Sequence, residues 1–242
     1  MMRLLALDTA TEACSVALLT GGDLISETQE IGRGHAQEIL AMVDRILAEG
    51  GATLASLSAI AAGVGPGSFT GVRVSVAVAQ GLAFGAGLPV IPVTSLEALA
   101  AAAIGSGAER VLACLDARMG EVYWGCFAAA GEPALLTVLT QPAVGVPARV
   151  RWPDESVAAG ASRVRGVGRG FSAYPELAAL PGVRLEPEDG RALPQARDMA
   201  RLGAARLAAG EGIDPALLEP LYVRNKVAST EAERAVERVV AK

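Results

Sequence analysis

One short phrase occurs twice in the chain. Leu4-Leu5-Ala6-Leu7-Asp8 and Leu112-Ala113-Cys114-Leu115-Asp116 are both four apolar residues closing on an aspartate. A short apolar run bounded by turn residues reads as a buried strand. Each is followed by a polar turn and a second strand-like run, Ser15 to Leu19 in the first place and Glu121 to Phe127 in the second. The recurrence predicts two related halves, each opening with a strand, an Asp, a turn and a strand.

The segments between fit an α/β chain. From Gly34 to Glu49 the apolar residues Ile39, Leu40, Val43, Ile46 and Leu47 keep a helical period, and Gly50-Gly51 supplies the stop. Ala59 to Val64 and Val90 to Val93 read as buried strands. Thr94 and Glu97 form a capping box that launches a helix through about Ile104. Residues 130–165, with Pro133, Pro142, Pro147 and Pro153, read as strand and loop. Helical periodicity returns from Pro194 to Gly210, and the charged tail after Ala228 reads as a short helix or frayed end.

One stretch supports two readings. Val72, Val74, Val76 and Val78 alternate with Arg73, Ser75 and Ala77, as in a strand. On a helix, Arg73, Ala77, Gly81 and Gly85 would instead form a smooth row beside a ridge of Val74, Val78 and Leu82. Such a row lets a second helix pack close. Periodicity leaves the two readings level.

Composition removes several classes. With 242 residues and 52% hydrophobic content the chain can bury a real core. Aromatic residues are only 4%, so close packing of small side chains is expected rather than a wide apolar cavity. The net charge of −5 argues against a chain that holds nucleic acid alone, because phosphate neutralisation drives that affinity. Arg163, Arg165 and Arg169 are the densest cationic cluster, in a Gly-rich stretch that reads as a solvated loop. Cys14, Cys114 and Cys126 are odd in number and lack CxxC spacing, which points to buried thiols in a cytoplasmic protein. No secretory signal is visible. The charge-free run between Arg73 and Glu97 holds Pro89, Pro92 and several glycines, so a helix followed by a strand is expected there, not a membrane span.

Few residues offer chemistry. His35 is the one histidine, and Ile39 stands where a second ligand on the next helical turn would be needed, so no metal site is expected. Ser68 and Thr70 have no neighbouring base in sequence, which leaves a protease reading without a catalytic set. Gly166-Val167-Gly168-Arg169-Gly170 resembles a dinucleotide loop but lacks the following long helix and downstream acid, and it reads as a loop.

Three stretches together resemble the TsaB (YeaZ) family of the actin-like ATPase superfamily. They are Leu5 to Thr11, Gly63-Val64-Gly65-Pro66-Gly67-Ser68-Phe69-Thr70-Gly71-Val72-Arg73 continuing through Gln80 to Ala83, and Asp116-Ala117-Arg118-Met119-Gly120-Glu121-Val122-Tyr123. Pro220-Leu221-Tyr222-Val223-Arg224 also matches, with Val223 where Leu is more usual. The resemblance covers nearly the whole chain and is weakest from 130 to 165.

It implies an α/β fold of two actin-like (ASKHA, ribonuclease H-like) lobes, with mixed sheets flanked by helices. Residues 1–102 plus 194–242 would form the first lobe, with the partner-binding helices, and 103–193 the second. It turns the Val72 stretch into a helix. It places Asp8, Thr9 and Thr11 in one phosphate-facing loop and Asp116 with Arg118 in its counterpart. There carboxylates would act on Mg²⁺, and Gly65, Gly67 and Ser68 would present amides to an anion. ATP or ADP would then occupy the interlobe cleft or the partner interface. The same residues also suit a tight turn and hairpin caps.

The family role implied is non-catalytic. Such subunits pair with the catalytic subunit TsaD, which transfers a threonylcarbamoyl group to the tRNA adenosine beside the anticodon, and an ATPase, TsaE, joins them. His35, Ile39, Arg73, Ala77 and Gly81 would lie in the pairing face, which would serve a homodimer when the chain is alone. tRNA would be met only through the complex. The competing expectation is an independent actin-like ATPase or kinase using Asp8 and Asp116.

Overall fold

The computed structural model describes residues 1–131, 135–153 and 163–224. The tail after Ala228 lies outside the described residues. The first sheet holds β1 (Arg3–Asp8), β2 (Ala13–Thr20), β3 (Asp23–Glu30), β4 (Ala59–Gly63) and β5 (Val90–Val93). The second holds β6 (Arg110–Arg118), β7 (Glu121–Ala129), β8 (Leu136–Gly145), β9 (Val164–Val167) and β10 (Val183–Arg184). The orders are β3-β2-β1-β4-β5 and β10-β9-β6-β7-β8. Read from the antiparallel edge, the two are the same: a three-strand meander followed by two parallel strands. The repeated phrase thus marks β1 and β6, the central strand of each sheet.

Helix α1 (His35–Glu49) follows the predicted period and buries Ile39, Met42, Val43, Ile46 and Leu47. Helix α2 (Phe69–Ala86) resolves the ambiguous stretch. Val72, Val76, Ala79 and Ala83 recur at helical spacing and are buried, Ser68 caps the start, and Gly87 ends it at φ 65°. Both helices cover one face of the first sheet, where they enclose Leu5, Leu7 and Ile60. Each fully buried Leu or Ile there contributes about 1.5–3 kcal/mol of transfer free energy. Among the described residues α2 is the one helix long and apolar enough to cross a membrane. Here its apolar stripe lies on the sheet, and β5 follows, so the charge-free run is a helix and then a strand.

Helix α3 (Ser95–Gly105) begins with the predicted Thr94–Glu97 capping box. The short α4 (Gly170–Ala173) follows β9, and α5 (Ala196–Ala208) comes after the second sheet. α5 lies on β1, β2 and β4, while α3 lies on β6 and β7 and also against α5. One core cluster therefore runs from Leu4 and Ala61 through Met199 and Leu99 to Val111 and Phe127. A Cβ at Gly203 would come within 2.8 Å of the Ala61 Cβ, so only glycine lets α5 sit this close to the sheet. Glu97, buried on α3, is paired with Arg206 on α5, whose Nη1 also donates to the Pro92 carbonyl at 2.8 Å. The boundary drawn at residue 102 thus falls inside a helix that serves both lobes.

Two further expectations need correction. Gly166 and Val167 belong to β9, and only Gly168, at φ 104°, turns the chain. Arg165 and Arg169 are half-buried and paired rather than free in solvent: the first is held by Asp189 at 2.8 Å, the second by Glu30 at 2.6 Å. All three cysteines are free and buried, as expected, and burial pushes the Cys14 and Cys126 thiols up to about 11.

Candidate functional site: the interlobe cleft and the outer face of α2

The two Asp-bearing turns face each other across a cleft of about 710 Å³. The first lobe contributes Thr11, Glu12, His35, Gly67 and Ser68, and the second contributes Asp116, Arg118, Arg169 and Arg191 among others. Ion pairs join the rims. Arg118 contacts Glu12 at 3.2 Å and Asp116 at 3.1 Å, and Arg169 contacts Glu12 at 3.6 Å and Glu30 at 2.6 Å. Tyr174 donates to Asp116 Oδ1 at 3.2 Å, and burial, then the neighbouring carboxylate, raise its hydroxyl above the ordinary value. Arg118 and Met119 both take positive φ in the β6–β7 turn, which carries the Arg118 side chain to the cleft.

Of the residues expected around a nucleotide, Thr11, Gly67, Ser68, Asp116 and Arg118 line the cleft. Asp8, Thr9 and Gly65 do not. Asp8 and Thr9 are fully buried. The Thr9 hydroxyl donates to the Gly71 carbonyl at 2.7 Å, and Asp8 Oδ1 accepts from the Ala10 amide at 3.2 Å. Asp8 Oδ2 has no partner among the described residues, and burial raises the carboxyl to about 7 against the pull of the Ala10 and Thr9 amides. Gly65 takes φ 90°, and a Cβ there would meet Val72 at 2.9 Å, so its role is the turn itself.

The α2 N-terminus is likewise engaged. Ser68 N–H donates to the Ala10 carbonyl at 2.7 Å, and the Ser68 hydroxyl accepts from the Gly71 amide at 3.3 Å. A Cβ at Gly67 would stand 2.1 Å from the Ala10 oxygen. The Gly-Pro-Gly signature is thus the surface on which the β1–β2 turn rests. His35 opens α1 and faces the cleft rather than the outer face of α2. Its Nε2 is shut from solvent without a partner among the described residues, and no hydrogen bond joins it to Ser68. Glu12 and Arg169 escaped sequence reasoning, because their place depends on contacts across the lobes, and Tyr174 escaped it because its partner Asp116 lies 58 positions away.

The expected pairing residues also separate. Ile39 is fully buried under the first sheet and is a core residue, as its helical period already required. Arg73, Ala77 and Gly81 share the outward side of α2, where Ala77 and Gly81 are exposed and a Cβ at Gly81 or Gly85 would meet nothing. The same side carries Phe69 and Phe84, exposed to 70% and 81%. Arg73 stacks on the Phe69 ring at 3.3 Å and reaches the Tyr222 ring at 5.0 Å. The C-terminal segment is tied beside it: Gln80 donates to the carbonyls of Pro215 and Leu218, both at 3.0 Å. It then crosses to the second lobe, where Arg224 binds Glu121 and the Ala117 carbonyl.

Two lobes of one topology, closing on a cleft framed by the turns after their first strands, define a protein of the actin-like class. Comparison with known proteins narrows the class. Residues 27–152 match the family model described as TsaD, tRNA N6-adenosine threonylcarbamoyltransferase. Over 229 residues the chain is 43% identical to the tRNA threonylcarbamoyladenosine biosynthesis protein TsaB of Escherichia coli (strain K12), covering 94% of this chain and 96% of that one. The corresponding TsaB of Haemophilus influenzae is 40% identical, with 93% and 95% covered. The solved structure of YeaZ from Pseudomonas aeruginosa is 42% identical, has a TM-score of 0.83, and is matched over all of its length and 92% of this chain. The chain belongs to the TsaB (YeaZ) family.

Proposed function

We propose that this chain is the non-catalytic partner subunit in the synthesis of threonylcarbamoyladenosine on tRNA. It pairs with a TsaD-like catalytic subunit in the cytoplasm, a TsaE-like ATPase joins the assembly, and tRNA is met through the complex. Alone, the same face pairs two copies of the chain. The observation that carries this reading is the outer side of α2: two exposed phenylalanines flank a row of small residues with open space above them. A continuous exposed apolar surface of this kind marks an interaction site, and small residues in a helical row let a partner helix approach closely. The cleft supports ATP or ADP as a ligand through Thr11, Ser68, Asp116 and Arg118, but it supports turnover poorly. An ATPase using Asp8 and Asp116 together would need both carboxylates at the cleft, and Asp8 is fully buried.

The test is light scattering of the chain alone and mixed with a TsaD subunit, alongside a tRNA modification assay. Wild type should form a one-to-one complex with activity absent from either protein alone, and the isolated chain should not hydrolyse ATP. Ala77→Arg and Gly81→Arg should abolish pairing and activity while the chain stays folded, since both positions open to solvent. Pairing at full affinity by either variant would sink the interface assignment, and ATP turnover by the isolated chain would sink the non-catalytic one.

A further inference from the structure

A second cleft, of about 610 Å³, opens at the end of the second sheet opposite the interlobe cleft, where β6 and β9 begin and β10 lies. Four arginines line it, Arg110, Arg163, Arg165 and Arg184, against two glutamates, Glu109 and Glu186. In a chain of net charge −5 this is a local reversal of sign. Arg165 and Arg184 are register partners on adjacent strands, and like charges so placed repel. The acids at hand serve only one of them. Arg165 takes Asp189 through two hydrogen bonds at 2.9 and 2.8 Å, Glu186 at 3.0 Å and the Ser106 hydroxyl at 2.8 Å.

The other three guanidiniums form no ion pair among the described residues. Arg184 has the carbonyl of its neighbour Val183 at 3.1 Å. Arg110 Nη1 is shut from solvent and finds no acceptor among the described residues. A guanidinium N–H without an acceptor is costly, and an oxyanion is the acceptor that a guanidinium pairs with most strongly. At the rim, two carbonyls near the end of α3 are taken by the loop's own amides, Gly107 to Ile104 at 2.9 Å and Ala108 to Ala103 at 3.1 Å.

We propose that this cleft binds a phosphate group. The donors are all arginine, whose planar fork matches phosphate oxygens two at a time. The volume suits a phosphorylated molecule better than a simple ion. The group could belong to a free nucleotide-like molecule or to an RNA backbone, and the recognition chemistry is the same. The cleft shares no residue with the α2 face or the interlobe cleft, so the proposal does not depend on the partner reading.

Arginine guanidinium resonances of the full chain should be followed while pyrophosphate, and separately a tRNA anticodon stem-loop, is added. Pyrophosphate should shift the Arg110, Arg165 and Arg184 signals and leave Arg45, on α1, unmoved. Arg184→Gln, at an exposed position that does not threaten folding, should weaken binding about tenfold or more, as loss of a charge-assisted contact does. Arg110→Gln should do the same, and affinity should fall steeply with salt. A response to pyrophosphate alone assigns the site to a small phosphorylated ligand, and a response to the stem-loop at these same arginines assigns it to RNA. If neither probe moves these signals at millimolar concentration, or if binding survives both substitutions unchanged, the proposal is overturned.

Discussion

Asp8 lies out of reach of solvent, with one carboxyl oxygen on the Ala10 amide and the other unpaired among the described residues. Its folded value of about 7 stands above the ordinary 3.8. The folded chain therefore keeps a proton that the unfolded chain releases in that window. The stability this group contributes is fully present below about pH 4 and is lost as pH rises through 7, a change of about 4 kcal/mol at most. Asp8→Asn should accordingly hold its urea midpoint level between about pH 5 and pH 8, where the wild-type midpoint falls. Parallel curves for the two would mean that Asp8 is not the titrating group. Gly67 makes a second case. Its missing Cβ would stand 2.1 Å from the Ala10 oxygen, a backbone atom that cannot move aside. Gly67→Ala should cost about 1–3 kcal/mol, as overpacking does, read from equilibrium unfolding. The repeated aspartates were legible in the sequence as strand ends. That Asp8 turns inward while Asp116 stays at the cleft was not, because it follows from what lies above each turn. Gly63 approaches so near that a Cβ there would stand 1.9 Å from Asp8 Oδ1.

Helix α2 is the element on which local pattern and global packing part company. Its alternating valines mimic a strand, and only the burial of Val72, Val76, Ala79 and Ala83 against the sheet fixes the helical choice. Ile39 went astray in the other direction: its helical period already placed it in the core, while the family resemblance put it in the interface. β3 was missed because its charged residues alternate weakly and it is an edge strand. The β9 turn was read as a loop, although Gly166-Val167-Gly168 repeats Gly63-Val64-Gly65. Gly168 at φ 104° and Gly65 at φ 90° make the same left-handed step after the corresponding strand. Gly81 offers a test at this scale. Glycine within a helix costs about 1 kcal/mol relative to alanine, and the space over Gly81 is empty. Gly81→Ala should therefore stabilise the unpaired chain, measured at a dilution where copies do not associate, by about that amount while weakening pairing. A destabilised variant would mean that Gly81 packs internally.

Across the whole molecule, two sheets of one topology are joined by a seam of α3 and α5, and the charged groups along it differ in weight. The rim pairs of Arg118 and Arg169 with Glu12 and Glu30 are open to solvent on at least one partner, and such pairs contribute about 0–1 kcal/mol each. Arg206 is different, because Glu97 has only 8% of its side chain exposed. Arg206→Met would leave that carboxylate without its counter-charge at the seam and should cost about 3–5 kcal/mol. Unfolding followed at both lobes should shift as one transition. If only one lobe responds, the seam does not couple them. The two-lobed plan was legible from a five-residue repeat. The seam was not, since Glu97 looked like nothing more than a capping-box acid, and its partner lies 109 positions away.

The hydrogen bond from Ser68 to Ala10 has one more consequence. The backbone oxygen of Ala10 is a tethered competitor for the amide of Ser68, the residue that caps α2. Its effective concentration is set by the fold and cannot be diluted, and even loosely tethered groups reach the millimolar range. A dissolved phosphate must outbid that local supply before it gains this amide. A phosphate grip that used this amide would take a reshaped β1–β2 turn, and adding positive charge nearby would leave the competitor in place.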